Sequence, residues 1–234
     1  MFEHFNFRPD SIKNIFPSLI YINTSTVEVI KDTTLQDSLQ CKIVQQNYFD
    51  EQQELLSWGF YANKTDGLYE YAYKNAGANV VMPKKQNEFK FIIAGVSFRK
   101  IRDASDYLEK FLPSYNSMND SLIYWDQQRK VLTYPPQIGE EWLFHQGIPF
   151  TIHKKIVGKE SVSTETGSYD CYKIQYLYES NFSVNITFYD YVCEKGLIRR
   201  SIFFKDVKVS TAEAPEGIGF VDSSDDTILT DINF

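Results

Sequence analysis

The chain has 234 residues, a formal net charge of −7 and a pI near 5.1, which excludes roles that rest on broad attraction to nucleic-acid phosphates or anionic lipid headgroups. Hydrophobic residues make up 43% of it, with 18 Phe and 16 Tyr, enough apolar surface to fold without metal or disulfide staples, so disorder is excluded for most of its length. It has no 18-residue apolar run, so no transmembrane segment is expected, and residues 1–20 lack the pattern of an export signal.

In chain order, a short helical turn is expected over 10–16, then strands over roughly 21–30, 40–48, 54–62, 67–74 and 88–98. Asp103 is suited to cap a helix through Leu112, where Tyr107, Leu108, Phe111 and Leu112 form one apolar stripe before Pro113 ends it. Strands follow at 121–126, 129–134 and 150–158. Next, Tyr172, Ile174, Tyr176 and Tyr178 alternate with Lys173 and Gln175, and Phe182, Val184, Ile186 and Phe188 alternate with Ser183, Asn185 and Thr187. Joined by Glu179-Ser180-Asn181, these two runs read as a hairpin. A last strand spans 197–209. The tail 212–234, with Asp222, Asp225, Asp226 and Asp231, is either an acidic extension or an edge strand. The expected fold is mainly β, a curved antiparallel sheet or half-barrel with one or two short helices. No Pro/Gly/Ser-rich linker divides the chain, so 1–234 is read as one domain.

Two stretches, about 16–100 and 134–209, read as degenerate repeats. Ser38-Leu39-Gln40-Cys41, Trp58-Gly59-Phe60-Tyr61 and Asp66-Gly67-Leu68-Tyr69 in the first find counterparts in Ser168-Tyr169-Asp170-Cys171, Ile186-Thr187-Phe188-Tyr189 and Lys195-Gly196-Leu197-Ile198. Gly67 and Gly196 are each expected to enter a strand from a turn with positive φ.

The residues that carry chemistry are sparse. Cys41, Cys171 and Cys193 have no metal-binding spacing; they read as small buried strand residues, or Cys171 and Cys193 bridge neighbouring strands. His145 and His153 flank a Gly147-Ile148-Pro149 turn, and Glu140-Glu141 and Asp225-Asp226 are adjacent carboxylate pairs whose members should face opposite ways on a strand. Phosphate loops, dinucleotide fingerprints, nucleophile elbows, zinc helices and calcium loops are all missing from the sequence. No catalytic residue, metal or cofactor is therefore expected, and nucleic acid is not expected as a partner.

One run groups Tyr134-Pro135, Ile138-Gly139-Glu140-Glu141-Trp142, Gly158-Lys159-Glu160-Ser161-Val162, Gly167-Ser168-Tyr169-Asp170-Cys171-Tyr172-Lys173-Ile174, Phe188-Tyr189 and Lys195-Gly196-Leu197-Ile198-Arg199-Arg200. It resembles uncharacterised exported bacterial proteins, many of them lipoproteins. The resemblance implies a periplasmic or cell-envelope location and a curved sheet similar to the half-barrels of lipoprotein carriers, and it transfers no catalytic residues. It departs from that pattern in having no lipidated N-terminal cysteine.

The leading functional expectation is a non-catalytic binding module that holds a lipid, an apolar small molecule or a partner segment on a concave sheet face. Trp58, Tyr61, Trp142, Phe188 and Tyr191 are the candidate ligand-binding residues, since the aromatic supply exceeds what one core face needs. Against it stand an envelope structural or interaction protein docking by a sheet edge or the acidic tail, and a hydrolase whose site is assembled from distant residues.

Overall fold

A computed structural model describes residues 2–7, 21–22, 25–35, 38–50, 53–75, 89–93, 95–98, 104, 122–147, 151–179 and 185–231. The described residues are mainly β, arranged as two antiparallel sheets. The chain begins with β1 (Phe2–Phe7) and β2 (Tyr21–Ile22) and then builds the smaller sheet. That sheet contains β3 (Ser25–Thr34), β4 (Gln40–Asp50), β5 (Gln53–Lys64), β6 (Gly67–Asn75) and, after β7 (Phe89–Ile93) and β8 (Val96–Phe98), β9 (Ile123–Thr133), in the order β3-β4-β5-β6-β9.

The larger sheet has ten strands, seven of them curled into a half-barrel. Its main path is β10 (Glu141–Gln146), β11 (Thr151–Thr164), β12 (Gly167–Glu179), β13 (Ile186–Cys193), β14 (Gly196–Thr211) and β15 (Gly219–Ile228), followed by β1 and β2. β7 pairs with the far end of β14 and with β8. A bulge helps explain the curl. Between Phe204 and Val207 the register of β14 shifts, and Asp206 adopts a left-handed φ of 57° while its N–H donates to Asp222 Oδ1 at 2.8 Å. A bulge bends its strand and increases local twist. Beyond it β14 has left β13, whose pairing ends at Ile186 and Phe204, and pairs with β7 from Lys208 and Ile92.

The main core lies on this sheet and gathers Phe144, Ile152, Tyr176, Phe188, Ile202, Phe204 and Val209, with Val131 of β9 packed against it. The smaller sheet packs Ile43, Phe60 and Ala72 with Leu35, Trp58 and Leu122. Apolar residues alternate along β11 and β14, so the strands bury one row and leave the next partly solvated.

Several expectations change in the structure. The region 121–134 is one strand, because residues 125–128 bulge out between the pairs Ala72–Tyr124 and Glu70–Arg129 without ending the ladder. β10 is a strand that two-residue alternation misses: Trp142-Leu143-Phe144 is a continuous apolar run, and a bulge between Leu143 and His145 accommodates it. The tail contributes β15, which has β14 on one side and β1 on the other, so its acidic residues sit within a sheet. The hairpin of β12 with β13 forms as expected, from Tyr172–Val192 to Tyr176–Phe188. The helical turn at 10–16 lies outside the described residues. So does the helix at 103–112 except for Ala104, which is fully buried in the main core.

The marks of the proposed repeat fall on matching strands of two meanders, β4, β5, β6 and β12, β13, β14. Their registers differ, however. Phe60 pairs with Ile43, two positions past Cys41, whereas Phe188 pairs with Tyr176, five positions past Cys171. The glycines differ too. Gly196 has φ of 106°, but Gly67 is a close-approach position: a Cβ there would lie 2.4 Å from the Leu132 carbonyl oxygen of β9.

Candidate functional site

Two neighbouring cross-strand rows share one face of the half-barrel. One runs Trp142, Lys154, Tyr176, Phe188, Ile202 and Asp225 from β10 to β15; the other runs Ile156, Ile174, Asp190, Arg200 and Thr227 from β11 to β15. Members of the two rows are two residues apart on each strand, which puts them on the same face. Asp190 is buried at its centre. Arg200 grips it with Nε to Oδ1 at 2.7 Å and Nη2 to Oδ2 at 3.0 Å, and Tyr176 donates its hydroxyl to Oδ2 at 2.7 Å. Lys154 Nζ is 3.9 Å from the same oxygen, donates to the Val131 carbonyl at 3.2 Å, and stands 4.2 Å and 4.4 Å from the ring centres of Phe144 and Tyr176. Tyr176 in turn stacks on Phe188, 3.9 Å between centres. Burial alone would push the Asp190 carboxyl up, but Arg200, Lys154 and the Tyr176 hydroxyl outweigh it and hold it below the ordinary carboxylate range.

This cluster reaches the smaller sheet through β9. The Arg129 guanidinium sits 3.2 Å from the centre of the Trp125 ring, 3.9 Å from Glu70, and donates from Nη2 to His145 Nδ1 at 2.9 Å. Burial, opposed by Glu70, pulls Arg129 down to about 10, so it stays charged at neutral pH. Burial and the adjacent guanidinium pull His145 down to about 4, so its ring is neutral and Nδ1 is free to accept. Trp142 donates from Nε1 to the Lys130 carbonyl at 2.8 Å, adding a second tie between the sheets.

The space open to a ligand lies elsewhere. A groove of about 610 Å³ is bounded by Leu132 and Tyr134 from the end of β9, Tyr169 and Tyr172 of β12, and Val192 and Cys193 of β13, with Asp170, Glu194 and Lys195 among its polar residues. Burial raises the Tyr134 hydroxyl, which donates to Asn63 Oδ1 at 3.0 Å. A second groove of about 500 Å³, on the smaller sheet, is bounded in part by Val29, Lys42, Val44, Tyr61 and Leu68.

The five aromatic residues singled out from the sequence are not brought together. Trp58 and Tyr61 lie on β5 of the smaller sheet, where Trp58 donates to Gln45 Oε1 at 2.9 Å and Tyr61 borders the second groove. Trp142 is at the junction of the sheets. Phe188 is wholly buried in the main core, and Tyr191 is buried in a satellite cluster with Val162, Cys171 and Ile198. Tyr134, Tyr169 and Tyr172, which border the larger groove, belong to segments on which the family resemblance rests; sequence spacing alone does not show that these segments meet.

The paired groups diverge. His145 bonds Arg129, while His153 lies 3.7 Å from Glu141. Glu140 accepts from Thr133 at 2.6 Å, and Glu141 pairs with Lys155 at 3.2 Å. Asp225 is buried on the inner row, whereas Asp226 pairs with Arg199 at 2.8 Å. Among the described residues no group of three or more His, Cys, Asp or Glu is placed to hold a metal ion, and no helix is long and apolar enough to cross a membrane. No known protein family, no characterised protein and no solved structure matches the chain.

Proposed function

We propose that the protein is a non-catalytic binding module of the extracytoplasmic space, taking an elongated lipid or apolar small molecule into the groove beside the half-barrel. The groove itself carries this reading: about 610 Å³ lies within the range of small-molecule sites and is edged by three tyrosines and aliphatic side chains, with charges among its bounding residues. The inner face of the half-barrel is a poorer candidate, since Phe188, Lys154 and Asp190 already pack against one another there. An exported location and kinship with envelope lipoproteins belong to the same reading, supported by the curled sheet and the motif run at 134–200.

Duplication of an ancestral meander is also part of it. Its support is that Gln40, Lys42, Ala62 and Asn63 border the second groove, while Asp170, Tyr172, Val192 and Cys193, each 130 residues further on, border the first.

The test is mass spectrometry of the gently purified protein under native and denaturing conditions. A small molecule that accompanies the folded chain and leaves on unfolding is expected, and Tyr172→Ala with Tyr134→Ala should lose at least tenfold in its occupancy, about 1.4 kcal/mol or more. Unchanged occupancy in a folded double variant overturns the placement. A sheet-edge docking role is the second reading, favoured by β3, a terminal strand of its sheet with Val27 and Val29 exposed at 64% and 58%. An empty native spectrum would favour it.

A further inference from the structure

We propose that Cys171 and Cys193 are a reversible dithiol pair that closes to a disulfide between β12 and β13. In the structure both are thiols. The antiparallel register pairs Tyr172 with Val192, and one step further it sets Cys171 opposite Cys193. Opposed residues of antiparallel strands have Cα atoms about 4.5–5.5 Å apart, within the span a disulfide bridges. The two side chains already share a hydrogen bond, and both belong to the same apolar cluster.

The pair is asymmetric, which gives the reaction an order. Cys193 is half-buried, borders the larger groove, and accepts the Lys195 backbone N–H at 3.3 Å, a contact that supports negative charge on sulfur. Cys171 is fully buried, and burial with its neighbour's charge pushes its thiol up to about 11. Cys193 is therefore the attacking thiol and Cys171 the resolving one. With a small-molecule disulfide such as oxidised glutathione as oxidant, Cys193 loses its proton and its sulfur bonds to one glutathione sulfur while the other leaves as a thiol. Cys171 then loses its proton, its sulfur bonds to Cys193, and the second glutathione leaves as a thiol. Two protein thiols are oxidised, one glutathione disulfide is reduced, and the two protons end on the two glutathione thiols. Cys41, buried on the smaller sheet, has no part in it.

The experiment exposes reduced, folded, full-length protein to oxidised glutathione, quenches by alkylation, and maps peptides without reduction. The expected result is an intact mass lower by two hydrogens, one linked peptide joining Cys171 to Cys193, and a raised Tm that dithiothreitol reverses. Cys171→Ser should halt the reaction with glutathione attached at Cys193, and Cys193→Ser should leave Cys171 a thiol. If wild-type protein stops at the glutathione adduct, or both cysteines stay reduced while the heat-unfolded chain oxidises, the pair is not a dithiol switch. The outcome is independent of whether the groove binds a ligand.

Discussion

His145 and Asp190 sit in one connected network yet predict opposite kinds of acid response. His145 is held neutral because a proton on Nδ1 would remove the acceptor for Arg129 and set two cations side by side. In the unfolded chain an ordinary histidine takes up its proton near pH 6.5, well above the folded value of about 4. Between those values the unfolded state binds the extra proton, so stability is full above about pH 6.5 and falls as pH drops toward 4. Urea melts should show about 1–2 kcal/mol lost from pH 7 to pH 5 beyond what His145→Asn loses, the half-buried ring keeping the effect below the unscreened value. Equal losses in both proteins would show that His145 stays uncoupled from folding. Asp190 titrates in a different window. Its folded pKa is depressed, so its contribution is intact above the unfolded carboxylate value of about 3.9 and is lost only as pH falls further, through the lowered one.

Strand by strand, two glycines separate close approach from conformational freedom. Gly67 begins β6 against β9, and a methyl group there meets backbone, which has little room to yield. Gly158 lies at the β11 bulge with open space around its Cα and an unexceptional φ. Gly67→Ala should therefore cost about 1–3 kcal/mol by chemical denaturation, while Gly158→Ala should be neutral or slightly stabilising. Matching effects at both positions would contradict the packing given for β6 and β9. The same strands show how far local pattern reaches. Alternation along 172–178 identifies β12 because each residue meets one environment per face, and turn chemistry locates β14 at Gly196. β10 and the bulged middle of β9 escape it, because a bulge breaks the two-residue period on which that reading depends.

At the scale of the whole molecule, β9 joins the two sheets. It belongs to the smaller one, yet Val131 packs into the larger core, and the Arg129–His145, Lys130–Trp142 and Val131–Lys154 hydrogen bonds all run from it to the half-barrel. Such a junction predicts cooperative unfolding: the fluorescence of Trp58, Trp125 and Trp142, which lie on the smaller sheet or at the junction, should share one urea midpoint with far-UV circular dichroism. Two separated midpoints would mean that the sheets unfold as independent units.

The sequence by itself determined the mainly β class, most strand positions and the curved antiparallel sheet, because alternation, aromatic content and turn residues act within a few residues of chain. Cys171 and Cys193 were already legible as a pair across neighbouring strands. Only the tertiary structure decided that Asp190 is neutralised by Arg200 and Lys154, that Phe188 is core, and that Tyr134 and Tyr172 meet at a groove. Those relations join residues tens of positions apart, and strand register and sheet curl set them through the sum of many weak contacts that no local pattern records.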